Sequence, residues 1–166
     1  MTSPSPFSIK LQRFAGEIQD IMDSGDERAR IVDEVIPLLR EFMEDESSLN
    51  DEYRVNLAEG RYRYEFFKND NESLSITAPA FLPGHPTPIH DHLTWGVIGV
   101  FAGKQITTRY RRCDDGTHSG LADLKVVSEE ILTRGAIYPL LPPDDIHSIE
   151  AIGDEPGISI HVLGND

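Results

Sequence analysis

"PGHPTPIHDHLTWGVIGVFAG", residues 83–103, sets His90 and His92 one residue apart, behind a proline-rich approach and ahead of an apolar run. From Val97 to Phe101 that run has the composition of a short buried strand. Residues i and i+2 of a strand point to one face, so His90 and His92 are expected to converge while Asp91 turns away. Two imidazoles on the inner face of a small barrel would be dry and neutral, which suits a transition metal. The same pair could also be polar residues on a solvent face, or hydrogen-bonded histidines of a core.

The wider spacing favours the metal. Gly84 precedes His90 by six residues and Gly103 follows His92 by eleven, which puts turns at both ends of one hairpin. A third histidine, His147, lies in "LLPPDDIHSIE", residues 140–150, where Pro142-Pro143-Asp144-Asp145 makes a turn just before its strand. Antiparallel barrels bring such distant strands side by side. His90, His92 and His147 can then fill one face of an octahedron and leave the opposite positions open.

Outward from this stretch the chain divides into a helical front and a strand-rich body. Phe7, Leu11, Phe14, Ile18 and Ile21, then Ile31, Val35, Leu38, Leu39 and Phe42, recur at steps of three and four, which predicts a helix pair with a turn at 23–26. Pro37 falls inside the second pattern and is expected to kink or shorten that helix. The acidic "EDESSLND", 44–51, reads as a connector, and after it the period changes to two. Runs at 62–67, 73–81, 94–101, 105–110, 124–127, 136–141, 146–152 and 158–163 are short, apolar or alternating, and separated by turn residues. The expectation is one domain, 1–166, mainly β, with two N-terminal α-helices over 1–46 packed on a β-barrel or jelly roll over 60–166.

Composition bounds the partners. The formal net charge of −14 would repel phosphate backbones and anionic lipid, so neither nucleic acid nor a membrane surface is an expected partner. A single cysteine, Cys113, cannot form an internal disulfide, and no apolar run approaches the length of a membrane span. A cytoplasmic protein, monomeric or weakly self-associating and acting on a small molecule, is the reading these features support.

The histidine motifs resemble those of the cupin superfamily. Its first motif, G-x5-HxH-x3,4-E-x6-G, is matched by Gly84, His90, His92 and Gly103, with Gly96 or Val97 where the glutamate would stand. Its second, P-x-G-x-x-H, is matched by Pro142, by Asp144 in the glycine slot, and by His147. Three-histidine cupins with "IHDH" resemble the cysteine dioxygenase, or thiol dioxygenase, family, and the likeness covers about residues 62–163. It implies a cupin double-stranded β-helix holding Fe(2+) on His90, His92 and His147, with O2 and a small thiol as substrates and a sulfinate as product. It also implies a relay beside the iron, matched by Ser159 and His161 in "SIHVL", with Leu163 where the family has tyrosine. Gly96 stands where the animal enzymes carry a crosslinking cysteine. The residues alone leave the metal open among iron, nickel, manganese, copper and zinc, and a metal-dependent cupin enzyme acting on a non-thiol substrate remains the alternative.

Aligned without gaps back from His90, the family's carboxylate-binding arginine falls on Tyr64, so Tyr64 is expected to line the substrate pocket and Arg63 to face away. A phenol cannot form the bidentate clamp a guanidinium offers, and Leu163 removes a second hydroxyl near the metal, so L-cysteine is expected to be a poor substrate. Arg109 and Arg111 are expected on a solvated outer face, Cys113 and His118 in a hydrophilic loop, His85 in a loop, and Trp95 in the core.

Overall fold

The computed structural model describes residues 6–25, 27–44, 63–117 and 119–164. Helices α1, Pro6–Asp23, and α2, Arg28–Glu44, come first. Their three-and-four spacing buries Phe14, Ile18, Val35, Leu39 and Phe42 on one side, and Phe14 stacks on Phe42 at 4.4 Å to join the pair. Pro37 does not shorten α2, which runs on to Glu44. Burial of Val35, Leu39 and Phe42 around it offsets the hydrogen bond that proline cannot make. Beyond Glu44 the expected connector lies outside the described residues.

Among the described residues eight strands follow: β1 Arg63–Lys68, β2 Leu74–Phe81, β3 Gly96–Ala102, β4 Lys104–Arg112, β5 Leu124–Thr133, β6 Ile137–Leu140, β7 His147–Ala151 and β8 Gly157–Gly164. They form two antiparallel sheets, ordered β1-β2-β8-β3-β6 and β5-β4-β7. The sheets are not one closed ladder; among the described residues, isolated bridges join β7 to two residues outside the strands, Pro83 to Ala151 and His90 to His147. The mainly β jelly roll with two N-terminal helices is thus observed, as an open sandwich. β5 is longer than its sequence suggested, because Lys125 to Val127 and Glu129 to Ile131 are exposed on both faces and show no alternation.

The five-stranded sheet separates two interiors. Along β2 and β8, Ile76, Ala78, Ala80, Ile158, Ile160 and Val162 belong to the core beneath the helices. Their neighbours Thr77, Pro79, Phe81, His161 and Leu163 line a cavity on the other face. Helix α2 reaches β3 closely because residue 99 is glycine: a Cβ there would lie 2.2 Å from the Met43 sulfur. Each large aliphatic or aromatic side chain buried on the helix side contributes about 1.5–3 kcal/mol of transfer free energy.

Candidate metal centre

His147 opens β7 and is 1% exposed. His90 lies on no strand; it exchanges backbone hydrogen bonds with His147, His90 N–H to His147 O at 3.0 Å and His147 N–H to His90 O at 2.8 Å. Residues 91–95 form a loop that ends where β3 begins at Gly96. The expectation that strand alternation aims His90 and His92 together is therefore corrected. A bridge at His90 and a turn at Leu93, φ 59°, bring both imidazoles to the same place.

Donor atoms of His90, His92 and His147 all lie within 4.8 Å of one another. The ring centroids are 4.6 Å apart for His90 and His147, 5.0 Å for His90 and His92, and 5.2 Å for His92 and His147. His90 Nδ1 is 2.9 Å from the Pro88 carbonyl oxygen, which can only accept, so Nδ1 carries the proton and Nε2 offers its lone pair. His92 Nε2 and both ring nitrogens of His147 are buried without a protein partner. Buried polar atoms are normally hydrogen-bonded, and lone pairs left converging on one point are what a divalent ion would satisfy. Electrostatics agree with that fit. Burial, followed by repulsion from His90 and His92, holds the His147 imidazole down to about 3, and burial also lowers His92, so both are neutral and ligand-competent near pH 7. The three-histidine group could hold a metal ion.

A cavity of about 340 Å³ opens beside it, lined by Arg63, Thr77, Phe81, His90, His92 and His161 among others. His161, on β8, has its ring 6.4 Å from that of His92, and its Nε2 is buried without a partner. Burial keeps its imidazole neutral, well below the usual histidine range. Ser159 is fully buried, and its hydroxyl donates to Gln105 Oε1 on β4 at 2.9 Å. The structure thus places His161 at the cavity wall and ties Ser159 to the opposite sheet.

The expectation for Tyr64 is overturned. Tyr64 pairs with Ala78 and packs with Phe66 into the helix-side core, their rings 5.6 Å apart. Arg63 pairs with Pro79 and lines the cavity, and its positive charge disfavours protonation of both His92 and His161. Counting back without gaps misses the register by one residue, and one residue on a strand is the other face. Arg109 is also corrected: it is half-buried, with its guanidinium 5.3 Å from the centre of the Tyr138 ring and its charge felt at His147.

Leu163 lines the cavity where the resemblance implies tyrosine, and its register partner is Gly96. A Cβ on residue 96 would come 2.6 Å from Leu163 Cδ2, so the leucine occupies room that glycine leaves. Gly84 and Gly103 both adopt positive φ, 76° and 74°, at turns as expected, but residues 85–95 belong to no strand, so the stretch between the two turns is a loop and one strand rather than a hairpin. Trp95 is buried in the core, His85 sits in an exposed loop, Cys113 is exposed, and His118 lies outside the described residues. Two residues escaped the sequence reading: Arg63, whose signal was the alternation of "RYEF", and Asp145, whose carboxylate accepts from the backbone of His92 and Leu93.

No protein-family model matches the chain. Among solved structures it is similar to a Cupin 2 conserved barrel domain protein from Salinispora arenicola CNS-205, at 15% identity and TM-score 0.45 over 62% of this chain and 74% of that one. It is similar to a cupin-like protein from Thermotoga maritima, at 19% identity and TM-score 0.44 over 61% and 66%. The Schizosaccharomyces pombe Cnp3 cupin domain matches at 14% identity and TM-score 0.48 over 63% and 60%. All three of these solved structures are described as cupin or cupin-like domains.

Proposed function

We propose that the protein is a mononuclear iron dioxygenase that adds O2 to the sulfur of a small thiol bearing a carboxylate. The observation that carries this reading is the convergence of His90, His92 and His147 beside a cavity whose wall supplies Arg63 and His161. Three neutral ligands leave the charge of a divalent ion uncompensated, which favours an anionic thiolate as the species that binds there. Bound Fe(2+) would supply the Lewis acidity and electron transfer that bring thiolate sulfur and O2 together. The overall conversion, R–SH plus O2 to R–SO2H, balances with no external reductant.

The chain's own residues do the rest. Arg63 donates to the substrate carboxylate, a charge-assisted contact that fixes the sulfur end toward the histidines. His161 enters neutral, and its buried, unpartnered Nε2 is placed to hydrogen-bond the bound substrate; burial makes it a poor proton acceptor, so the thiol proton leaves to solvent as the thiolate forms. Phe81, Ile149 and Leu163 wall the cavity with apolar surface and exclude water from the reacting sulfur. Arg63 at the wall removes one ground for setting L-cysteine aside, the missing guanidinium, while the other, Leu163 in place of a hydroxyl, stands.

Leu163 supports a second reading. An aliphatic side chain replaces a hydroxyl that the resemblance implies near the metal, which suits a metal-dependent cupin enzyme acting on a non-thiol substrate. One experiment separates the two: oxygen uptake by the Fe(2+)-loaded protein with a panel of small thiols, and mass analysis of the products. Thiol-dependent uptake with a gain of two oxygen atoms supports the dioxygenase. Full iron occupancy with no uptake for any thiol rejects it.

A further inference from the structure

The two segments carrying the histidine triad are joined twice. The backbone exchange between His90 and His147 is one join. The other is a side chain: Asp145, 3% exposed, accepts through Oδ2 from the His92 N–H at 2.9 Å and from the Leu93 N–H at 3.1 Å. No strand ladder holds this stretch, since residues 91–95 belong to no strand. Leu93 also stands in the left-handed region, φ 59°, a conformation that a non-glycine residue keeps only when its surroundings impose it. A buried carboxylate is costly unless it is hydrogen-bonded, and this one spends its oxygen on the two amides that fix the turn.

We infer that Asp145 is a positioning residue of the metal centre, setting the His92 imidazole against His90 and His147 by holding the amides of His92 and Leu93. The chain separation is 53 residues between Asp145 and His92, yet only two between Asp145 and His147, so one carboxylate couples both halves of the triad. This rests on the triad being a metal site and is independent of whether a thiol is the substrate.

The test uses Co2+ as the probe. Chelator competition and the visible spectrum of the Co2+-loaded protein are compared for wild type, Asp145→Asn and Asp145→Ala, beside the melting temperature of each metal-free protein. The alanine variant is expected to bind Co2+ about 10–100-fold more weakly, with an altered spectrum. Asparagine keeps one acceptor oxygen and is expected to recover most of the affinity and the spectrum. Wild-type affinity and spectrum in the alanine variant overturn the inference, and so does a loss of melting temperature with neither readout moved. If the alanine variant does not fold, amide exchange in the metal-free wild type decides: slow exchange at His92 and Leu93 supports the clamp, and exchange as fast as at Asp91 overturns it. Failure of the wild type to bind Co2+ removes the metal reading itself, whereas normal Co2+ binding without thiol oxidation removes only the dioxygenase.

Discussion

The two faces of the five-stranded sheet are built by opposite rules. On the helix side, Ile76, Ala78, Ile160 and Val162 meet the apolar stripes of α1 and α2, and that interior is held by area alone. On the other side, the residues between them meet the three-stranded sheet with buried imidazoles and unpartnered ring nitrogens at the cavity. Adjacent residues of β8, Ser159-Ile160-His161-Val162, alternate between these two environments. Stability and chemistry are therefore interleaved one residue at a time, and a substitution should affect one without the other.

The largest expected effect is on the helix side. Ile160→Ala removes a fully buried aliphatic group and should cost about 2–5 kcal/mol of unfolding free energy in a denaturant titration. At a temperature where the variant is folded, its kcat/KM should stay within about twofold of wild type. Arg63→Ala should do the converse: about 30-fold lower kcat/KM for a thiol carboxylate, equivalent to about 2 kcal/mol, with the melting temperature unchanged. Equal losses for an uncharged thiol of similar size would show that Arg63 does not read the carboxylate.

Acid should separate the faces too. The His147 pKa is lowered by folding, to about 3 from an ordinary 6.5, so the unfolded chain binds a proton that the folded chain refuses. Nothing is lost above pH 6.5; below it stability falls, by about 2 kcal/mol from this histidine at pH 5, and the fall ends only near pH 3. His92 and His161 are shifted in the same direction and steepen the slope. Urea titrations of the metal-free protein from pH 7 to 5 measure it, and His147→Gln should flatten the curve. The smallest effect belongs to Tyr64→Phe, which should leave kcat/KM within about twofold while its stability changes by about 1 kcal/mol or less.

Those contrasts show what the sequence could and could not convey. Strand positions were legible because period-two burial is a local signal, and even Arg63 was written there: in "RYEF", Tyr64 and Phe66 share the apolar face, which leaves Arg63 for the other. Counting back from His90 overrode that local signal, and β1 carries a bulge between Glu65 and Phe67, where simple counting fails. The three histidines were legible from motif spacing, although the loop that presents His92 was read as a strand because an HxH pair satisfies strand alternation equally well. Asp145 left no periodic trace. A carboxylate that caps amides 53 residues away is visible only once the chain has folded. Likewise β5 beyond Val127 has both faces in solvent, so no pattern marked its length.

The central claim is that His90, His92 and His147 hold one metal ion and that His161, also buried at the same cavity, does not. Titration with Co2+, followed by its visible absorption, tests this in wild type and in four single alanine variants. The account predicts one equivalent bound by wild type and by His161→Ala, and loss of tight binding in His90→Ala, His92→Ala and His147→Ala. One equivalent retained by any of those three, or lost in His161→Ala with its fold intact, would contradict it.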